Sequence, residues 1–294
     1  MKDKSKKTEP AQDWTTSMFA WFGYFMPLEE RLAAIRDAGF DKVMLSWEDE
    51  TAPVRIPKER FPELAARHHL GITNVHAPYM GYSRIWEKPP AENRVYLDRF
   101  IGYVADCARF AVPAIVVHTV DFELGPYAFD NGRAFFSELA DAGEKYGVDI
   151  AVENVTRQFL LKGLFDAIDA QHFGLCYDVS HDYMLPCGRG RLLTDYGDRL
   201  KALHFSDNDG HLDRHWIPGE GFLPLGNVLA QLDAVGWHVL SCELIAAHFW
   251  QDRNPRDFCL AAHDQVNRLI ADFKQNPSRS EEHTSELQSR SAIS

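Results

Sequence analysis

No run of apolar residues in this chain approaches the roughly 18 that a membrane span requires. The nearest stretch, MFAWFGYFMPL at residues 18–28, is too short. It is also a poor secretory signal, because a long polar segment of mixed charge precedes it and no small-residue cleavage site follows. These absences lead us to expect a cytoplasmic protein with no membrane partner. Cysteine is sparse: Cys107, Cys176, Cys187, Cys242 and Cys259 are odd in number and lack C-x-x-C spacing, which suits reduced packing thiols rather than a disulfide framework. Positive charge is in deficit, with 31 Lys and Arg against 43 Asp and Glu and a formal net charge of -12. That balance disfavours a diffuse basic face for nucleic acid or anionic lipid, although it leaves a local groove open. No solenoid repeat is visible, and no G-x-G-x-x-G turn follows the first apolar run, so a dinucleotide-binding doubly wound sheet lacks its signature.

What is present is a large apolar complement, 45% of 294 residues, arranged as an alternation. Eight short β-branched or aromatic runs read as strands: MFAWFGY, KVMLSW, ITNVHA, AIVVHT, DIAVEN, GLCYDV, KALHFS and HVLSCEL. Between them lie segments of helical period, LEERLAAIRDAG, FPELAARHH, RVYLDRFIGYVADCARF, GRAFFSELADAGEKYG, LFDAIDAQH and LGNVLAQLDAVG, with LAAHDQVNRLIADF after the last; the helices after the second and sixth runs are the least clear. Glycines in DAGF, KYGV and AVGW stand where left-handed caps would end helices. Eight βα units whose strands are too apolar for one-sided burial predict an α/β protein, a single (β/α)8 TIM barrel, over residues 18–277. Residues 1–17 read as a flexible N-terminal segment. Residues 278–294 read as a disordered tail: RSEEHTSELQS, at 279–289, has no hydrophobic period and resembles the in-frame translation of a sequencing-library adaptor, so it is set aside from the fold.

A barrel does its chemistry at the C-terminal ends of its strands. The residues there are His76, His118, Glu153, Asp178, His204 and Glu243, all able to ligate a metal. About one residue in five is Asp, Glu or His, so six such strand ends would arise by chance on the order of 10⁻⁴, unlikely even after about a hundredfold allowance for freedom in choosing the ends. Two residues earlier, on the same face of each strand, stand Ala151, Cys176, Ala202 and Ser241, small enough for a narrow interior beneath a site. Oxygen and imidazole donors without a thiolate suit one divalent metal ion, Mn²⁺, Mg²⁺, Co²⁺ or Zn²⁺. Such an ion would also let the buried Glu153, Asp178 and Glu243 coexist.

The polar segment HFSDNDGHLDRHWIPGEGF, residues 204–222, could be an ordinary surface turn, but Asp213 and His215 add ligand types after His204, as His181 does after Asp178. Trp86, Trp216 and Trp250 follow strands three, seven and eight, where their faces could pack on a sugar ring, and Arg214 could hold a phosphate or carboxylate. GEGFLPLG is a weak phosphate-loop signal, and the sequon at Asn154 lies at a strand end where glycosylation is not expected. His172, His238 and His263 read as structural.

The motifs NVHAPY, VVHT, AVENV, CYDVSHD, LHFSDNDG with DRHWIPGEG, and CEL together resemble the xylose isomerase-like barrel superfamily, which holds sugar-phosphate isomerases and epimerases, ketose 3-epimerases, inosose-processing enzymes and endonuclease IV. The resemblance runs from Met18 to about Lys274. It implies a metal bound by Glu153, Asp178, His204 and Glu243, proton transfer by Glu153 and Glu243, and a substrate contact by His181. It thus implies a divalent-metal-dependent isomerase or epimerase acting on a small-molecule carbohydrate, a sugar, sugar phosphate or inosose, at the carbon next to a carbonyl. A homo-oligomer is compatible with this reading. The alternative is an endonuclease IV-like abasic-site nuclease with three Zn²⁺ ions, the only reading with a nucleic-acid partner. Its further ligands would fall on His76, His118, His181, Asp213 and His215. Against it, the nuclease form HLNDSK appears here as HFSDND, which puts Asp209 or a neighbour in place of a Lys.

Overall fold

A computed structural model of the chain describes residues 13–121, 125–184 and 189–276. The adaptor-like tail, most of the N-terminal segment and Cys187 lie outside the described residues. Eight strands run β1 (Thr15–Phe19), β2 (Lys42–Ser46), β3 (Gly71–His76), β4 (Ala114–His118), β5 (Asp149–Glu153), β6 (Phe173–Asp178), β7 (Leu200–His204) and β8 (Val239–Cys242). All neighbours pair in parallel in the order β7-β6-β5-β4-β3-β2-β1-β8. The cylinder closes where Phe205 N–H donates to Ser241 O at 2.8 Å, just beyond β7. The expected single (β/α)8 TIM barrel is the fold.

Helices pack outside this cylinder, led by Leu28–Ala38, Pro90–Arg109, Phe129–Tyr146, Gln158–Ala167, Leu225–Ala234 and Pro255–Gln275. The less clear segments after β2 and β6 are short helices, Phe61–Arg67, and Val179–Met184 with Arg191–Tyr196. Gly39, Gly147 and Gly236, expected as caps, all take positive φ. No helix of the described residues is long and apolar enough to cross a membrane.

Three boundaries differ from the sequence reading. The barrel starts at Thr15 rather than Met18: Thr15, Thr16 and Ser17 pair with β8, while Ala20 to Tyr24 leave the ladder to form a loop. The aromatics of that loop made it look like strand, but Phe22 fills the outer core and Trp21 lines a cavity. The helix read at LFDAIDAQH begins earlier, at Gln158, and ends at Ala167. Gly163 lies inside it, where a Cβ would come within 2.7 Å of the Phe129 ring. The last helix likewise starts earlier than read, at Pro255, with Asn254 capping it through Arg256 N–H.

Inside the cylinder, Val116, Ala151, Cys176 and Ala202 form one small buried cluster, as the two-residue period predicted for the last three. Ser241 is buried at the same level on β8, level with Ser17 across the β1–β8 pairing. These short side chains fill the narrow interior, and the next pore-facing residue on each strand emerges above them. The Cys107, Cys176, Cys242 and Cys259 thiols are free and buried, and burial pushes each up to about 12.

Candidate active site

Four consecutive strands deliver Glu153, Asp178, His204 and Glu243 to one point, where one ligand atom from each lies within 4.8 Å of all the others. The two Glu stand at the outer ends of the arc, on β5 and just after β8. Glu153 and Asp178 are 1% and 0% exposed, so their carboxylates have left water and need partners. Asn154 holds the ends of β5 and β6 level, donating through Nδ2 to Asp178 O at 2.9 Å and accepting from Asp178 N at 2.6 Å. It is 1% exposed, which disposes of the sequon.

Glu153 is the hub of the cluster. Its Oε2 faces His76 Nε2 at 3.2 Å, His118 Nε2 at 3.4 Å and His204 Nδ1 at 3.4 Å, and its Oε1 faces His181 Nδ1 at 3.1 Å. Across the arc, His204 Nδ1 lies 2.9 Å from Glu243 Oε2. A third group forms where Asp213 Oδ2 meets His181 Nε2 at 3.1 Å and His215 Nε2 at 2.9 Å. Asp213 is tied back through Oδ1, which accepts from Ser180 Oγ at 2.9 Å. All nine expected ligand-type residues therefore meet in one constellation.

Charge coupling is strong in this low-dielectric setting. Burial alone would raise the Glu153 carboxyl, but His204 and His118 hold it well below the usual range. The same opposition leaves Glu243 at about 2, with His204 the main counterweight to burial. Asp178 goes the other way, pushed up to about 7 by burial. His204 and His181 stay protonated far above the ordinary imidazole range because the surrounding acidic groups outweigh burial, and His215 rises to about 9 against burial through its bond to Asp213. His118 is lowered by burial.

The donor set fits a divalent cation. Asp178 Oδ2 and His204 Nδ1 are buried and complete no hydrogen bond, His204 Nδ1 meeting Glu243 Oε2 only as a close charge contact, and both belong to the group that Glu153 and Glu243 complete. Orphaned polar atoms of this kind cost about 1–3 kcal/mol each unless something satisfies them, and metal–ligand distances of about 2.0–2.2 Å place donors at this mutual spacing. A second set of donor atoms, from His76, Glu153 and His204, is equally compact.

A cavity of about 480 Å³ opens above these residues. Its lining combines the polar Glu153, His181, Asp213, His215 and Glu243 with the apolar or aromatic Phe19, Trp21, Tyr79, Val155, Met184 and Ile245. The segment 204–222 is neither a free turn nor a phosphate loop. Asp207 collects its backbone, accepting from Gly219 N at 2.9 Å, Gly221 N at 3.0 Å and Leu223 N at 3.1 Å. Gly221 has to be glycine, because a Cβ would lie 2.2 Å from Asn208 O. Asp209, at the position of the nuclease Lys, accepts from the His211 and Leu212 amides and holds Arg214 by its Nε and Nη2 edge.

The expected substrate-binding residues do not line the cavity. Trp86 is fully buried, its indole N–H donating to Thr119 O at 2.6 Å and its ring packed on Phe129 and Phe136. Arg214 is paired with Asp209 and lies over the Trp216 ring, which itself sits beside an antiparallel bridge to Asp207. Trp250 is buried against Phe258. Among the described residues, the Phe, Tyr and Trp side chains that line the cavity are Phe19, Trp21 and Tyr79. Extending the two-residue period along β1 and β2 would have found Phe19 and Ser46; nothing local marks Trp21. Asp121, also in the lining, fixes the loop after β3 by accepting from Gly81, Tyr82 and Ser83 backbone amides at 3.0–3.2 Å. His172, His238 and His263 are structural, the first two paired with Asp149 and Asp233 and the third packed on Phe40.

Comparison with known proteins adds a family. A family model described as xylose isomerase-like TIM barrel matches residues 32–261. The fructoselysine 3-epimerase of Shigella flexneri is 27% identical over 145 residues, 46% of this chain and 51% of that protein. An inosose isomerase of Bacillus licheniformis is 25% identical over 177 residues, 54% of this chain and 63% of that one. The chain thus spans about half the length of the curated relatives it matches. Among solved structures, an L-ribulose 3-epimerase superposes with a TM-score of 0.73 at 13% identity, covering 90% of this chain and 97% of that one, a likeness of fold.

Proposed function

Since the chain belongs to the xylose isomerase-like TIM barrel family, we propose that it is a divalent-metal-dependent isomerase or epimerase that moves a proton at a carbon next to the carbonyl of a sugar, sugar derivative or inosose. The observation that carries this reading is the arc of Glu153, Asp178, His204 and Glu243, with a carboxylate at each outer end and two orphaned donor atoms between them. Relatives named as a 3-epimerase and an inosose isomerase support it.

Those four residues would hold the ion, which when bound polarises the substrate carbonyl and offsets negative charge developing on its oxygen. Glu153 and Glu243 are both carboxylates at neutral pH and so are ready to accept a proton. Standing at opposite ends of the arc, one removes the proton from the reacting carbon while the other, protonated from solvent as the substrate enters, delivers one; the first then gives its proton back to solvent and both return to their starting state. Delivery to the opposite face inverts the carbon; return by one group along a single face interconverts aldose and ketose. His181, whose Nδ1 lies 3.1 Å from Glu153 Oε1, is placed to donate a hydrogen bond to a substrate oxygen beside the reacting carbon.

The test follows deuterium from D₂O into a panel of ketoses, ketose phosphates and inososes by NMR, using Mn²⁺-loaded protein. Incorporation at one carbon, lost in Glu153→Gln and Glu243→Gln variants whose metal content is measured in parallel, is the expected result. A second reading, the three-zinc abasic-site nuclease, is favoured by the groups around His76 with His118 and around His181, Asp213 and His215. Three zinc ions per chain, cleavage of an abasic-site duplex and no exchange on the panel would replace the first reading with the second.

A further inference from the structure

We infer that the carbohydrate bound here carries no phosphate and bears an apolar substituent, aryl or alkyl, remote from the reacting carbon. This rests on the function proposed above and specifies its substrate.

The charge of the cavity argues against phosphate. Among the described residues no Lys or Arg lines it, whereas Glu48, Asp121, Glu153, Asp213 and Glu243 do. The undescribed neighbours, 122–124 and 185–188, contain no basic residue in sequence. Of the arginines in flanking segments, Arg214 is committed to Asp209 and Arg31, 1% exposed, to Glu50 and Ala20 O, while Arg189 is exposed and outside the lining. Arg157, one residue beyond Thr156, is exposed and outside the lining. The glycine amides that might have cradled a phosphate are spent on Asp207. A phosphate dianion entering this space would meet five carboxylates and, among the described residues, no Lys or Arg, while the nearby imidazoles of His181 and His215 are already paired with Asp213.

The rest of the lining argues for an apolar group. Trp21 and Tyr79 are 40% and 55% exposed and Ile245 is 37% exposed, although each borders a formed cavity. Trp21 is braced by Arg31, whose guanidinium lies 5.2 Å from its ring centroid and is itself fixed by Glu50. A braced, part-exposed aromatic ring in the cavity lining is a ready contact for another ring or an alkyl chain. Volume agrees. About 480 Å³ falls within the roughly 300–1,000 Å³ of sites that take drug-sized ligands, beyond the needs of one sugar ring held at the carboxylates. A lining that combines a polar, metal-competent cluster with apolar and aromatic side chains selects an amphipathic ligand.

The test is equilibrium binding to the Mn²⁺-loaded full chain by calorimetry, which does not depend on turnover. Methyl and p-nitrophenyl glycosides are compared pairwise in gluco, galacto, manno and xylo configurations, together with aminoethyl glucoside, glucose and glucose 6-phosphate. We expect the p-nitrophenyl member of at least one pair to bind at least tenfold more tightly than its methyl partner. That ratio should collapse toward unity in Trp21→Ala and largely survive in Trp21→Phe, with melting curves showing both variants folded. Glucose 6-phosphate should bind more weakly than glucose. The inference is overturned if no pair shows the excess, if the excess survives Trp21→Ala, if glucose 6-phosphate binds more tightly than glucose, or if the aminoethyl glycoside matches the aryl one. Aryl preference without deuterium exchange would keep this inference and sink the carbon-acid reading; exchange on free ketoses without aryl preference would do the reverse.

Discussion

Replacing Asp178 by Asn should stabilise the metal-free protein and remove most of what a metal adds. Burial moves the Asp178 carboxyl from 3.8 to about 7. A carboxyl whose folded pKa is raised binds more protons folded than unfolded, so stability present below about pH 4 is lost as pH climbs through about 7. About three pH units at about 1.4 kcal/mol each give a ceiling on the order of 4 kcal/mol for holding the ionised group above pH 7. Asn keeps the shape and an oxygen for the His181 N–H, which Asp178 Oδ1 accepts at 2.7 Å, while deleting the charge. In EDTA at pH 8 the variant should melt roughly 3–10 °C above the parent. With Mn²⁺ at about 100 times its dissociation constant the parent should gain about 2.7 kcal/mol, or roughly 5–10 °C, and the variant little of this. Thermal scans with and without Mn²⁺, alongside elemental analysis of metal content, measure both effects. A variant that melts below the parent in EDTA, or that gains as much from Mn²⁺, refutes the reasoning.

Trp86→Ala should cost about 3–5 kcal/mol in urea unfolding, because it empties a fully buried indole site among Phe129 and Phe136 and strands Thr119 O; loss of less than about 1 kcal/mol would show that the site collapses freely. His215 is raised from 6.5 to about 9, so its contribution is complete below about pH 6.5 and lost as pH rises through 9. Urea midpoints of the metal-free protein should therefore fall across that window, and His215→Gln should flatten the fall; an unchanged slope would place the titration elsewhere. His204→Ala should lower metal content sharply while circular dichroism shows the barrel intact, since His204 stands above the packing layer of Ala202 and Cys176.

The barrel was legible because its physics is periodic. Eight strand–helix units, glycine caps at Gly39, Gly147 and Gly236, and small residues two positions below the strand-end ligands are local or short-range patterns, and each residue carries its own part of the signal. Glu153, Asp178 and His204 could be placed together for the same reason: a strand's end is a known height in a barrel, so one-dimensional position fixed three-dimensional neighbourhood. The loops obey no such period. Trp86 reads in sequence as a loop aromatic and Trp21 as part of a strand, yet the first is driven into the outer core beside Gly132 and the second borders the cavity with an arginine ten residues on against its ring. GEGF reads as a phosphate loop until Asp207, twelve to fourteen residues earlier, is seen to hold its amides. Which side of a loop faces the cavity is set by contacts with distant segments that compete for the same surface, and no local pattern records the winner. The sequence by itself determined the scaffold and the strand-end residues of the site; only the tertiary structure decided which loop residues join them around the cavity, because strand ends have a fixed height in a barrel and loops do not.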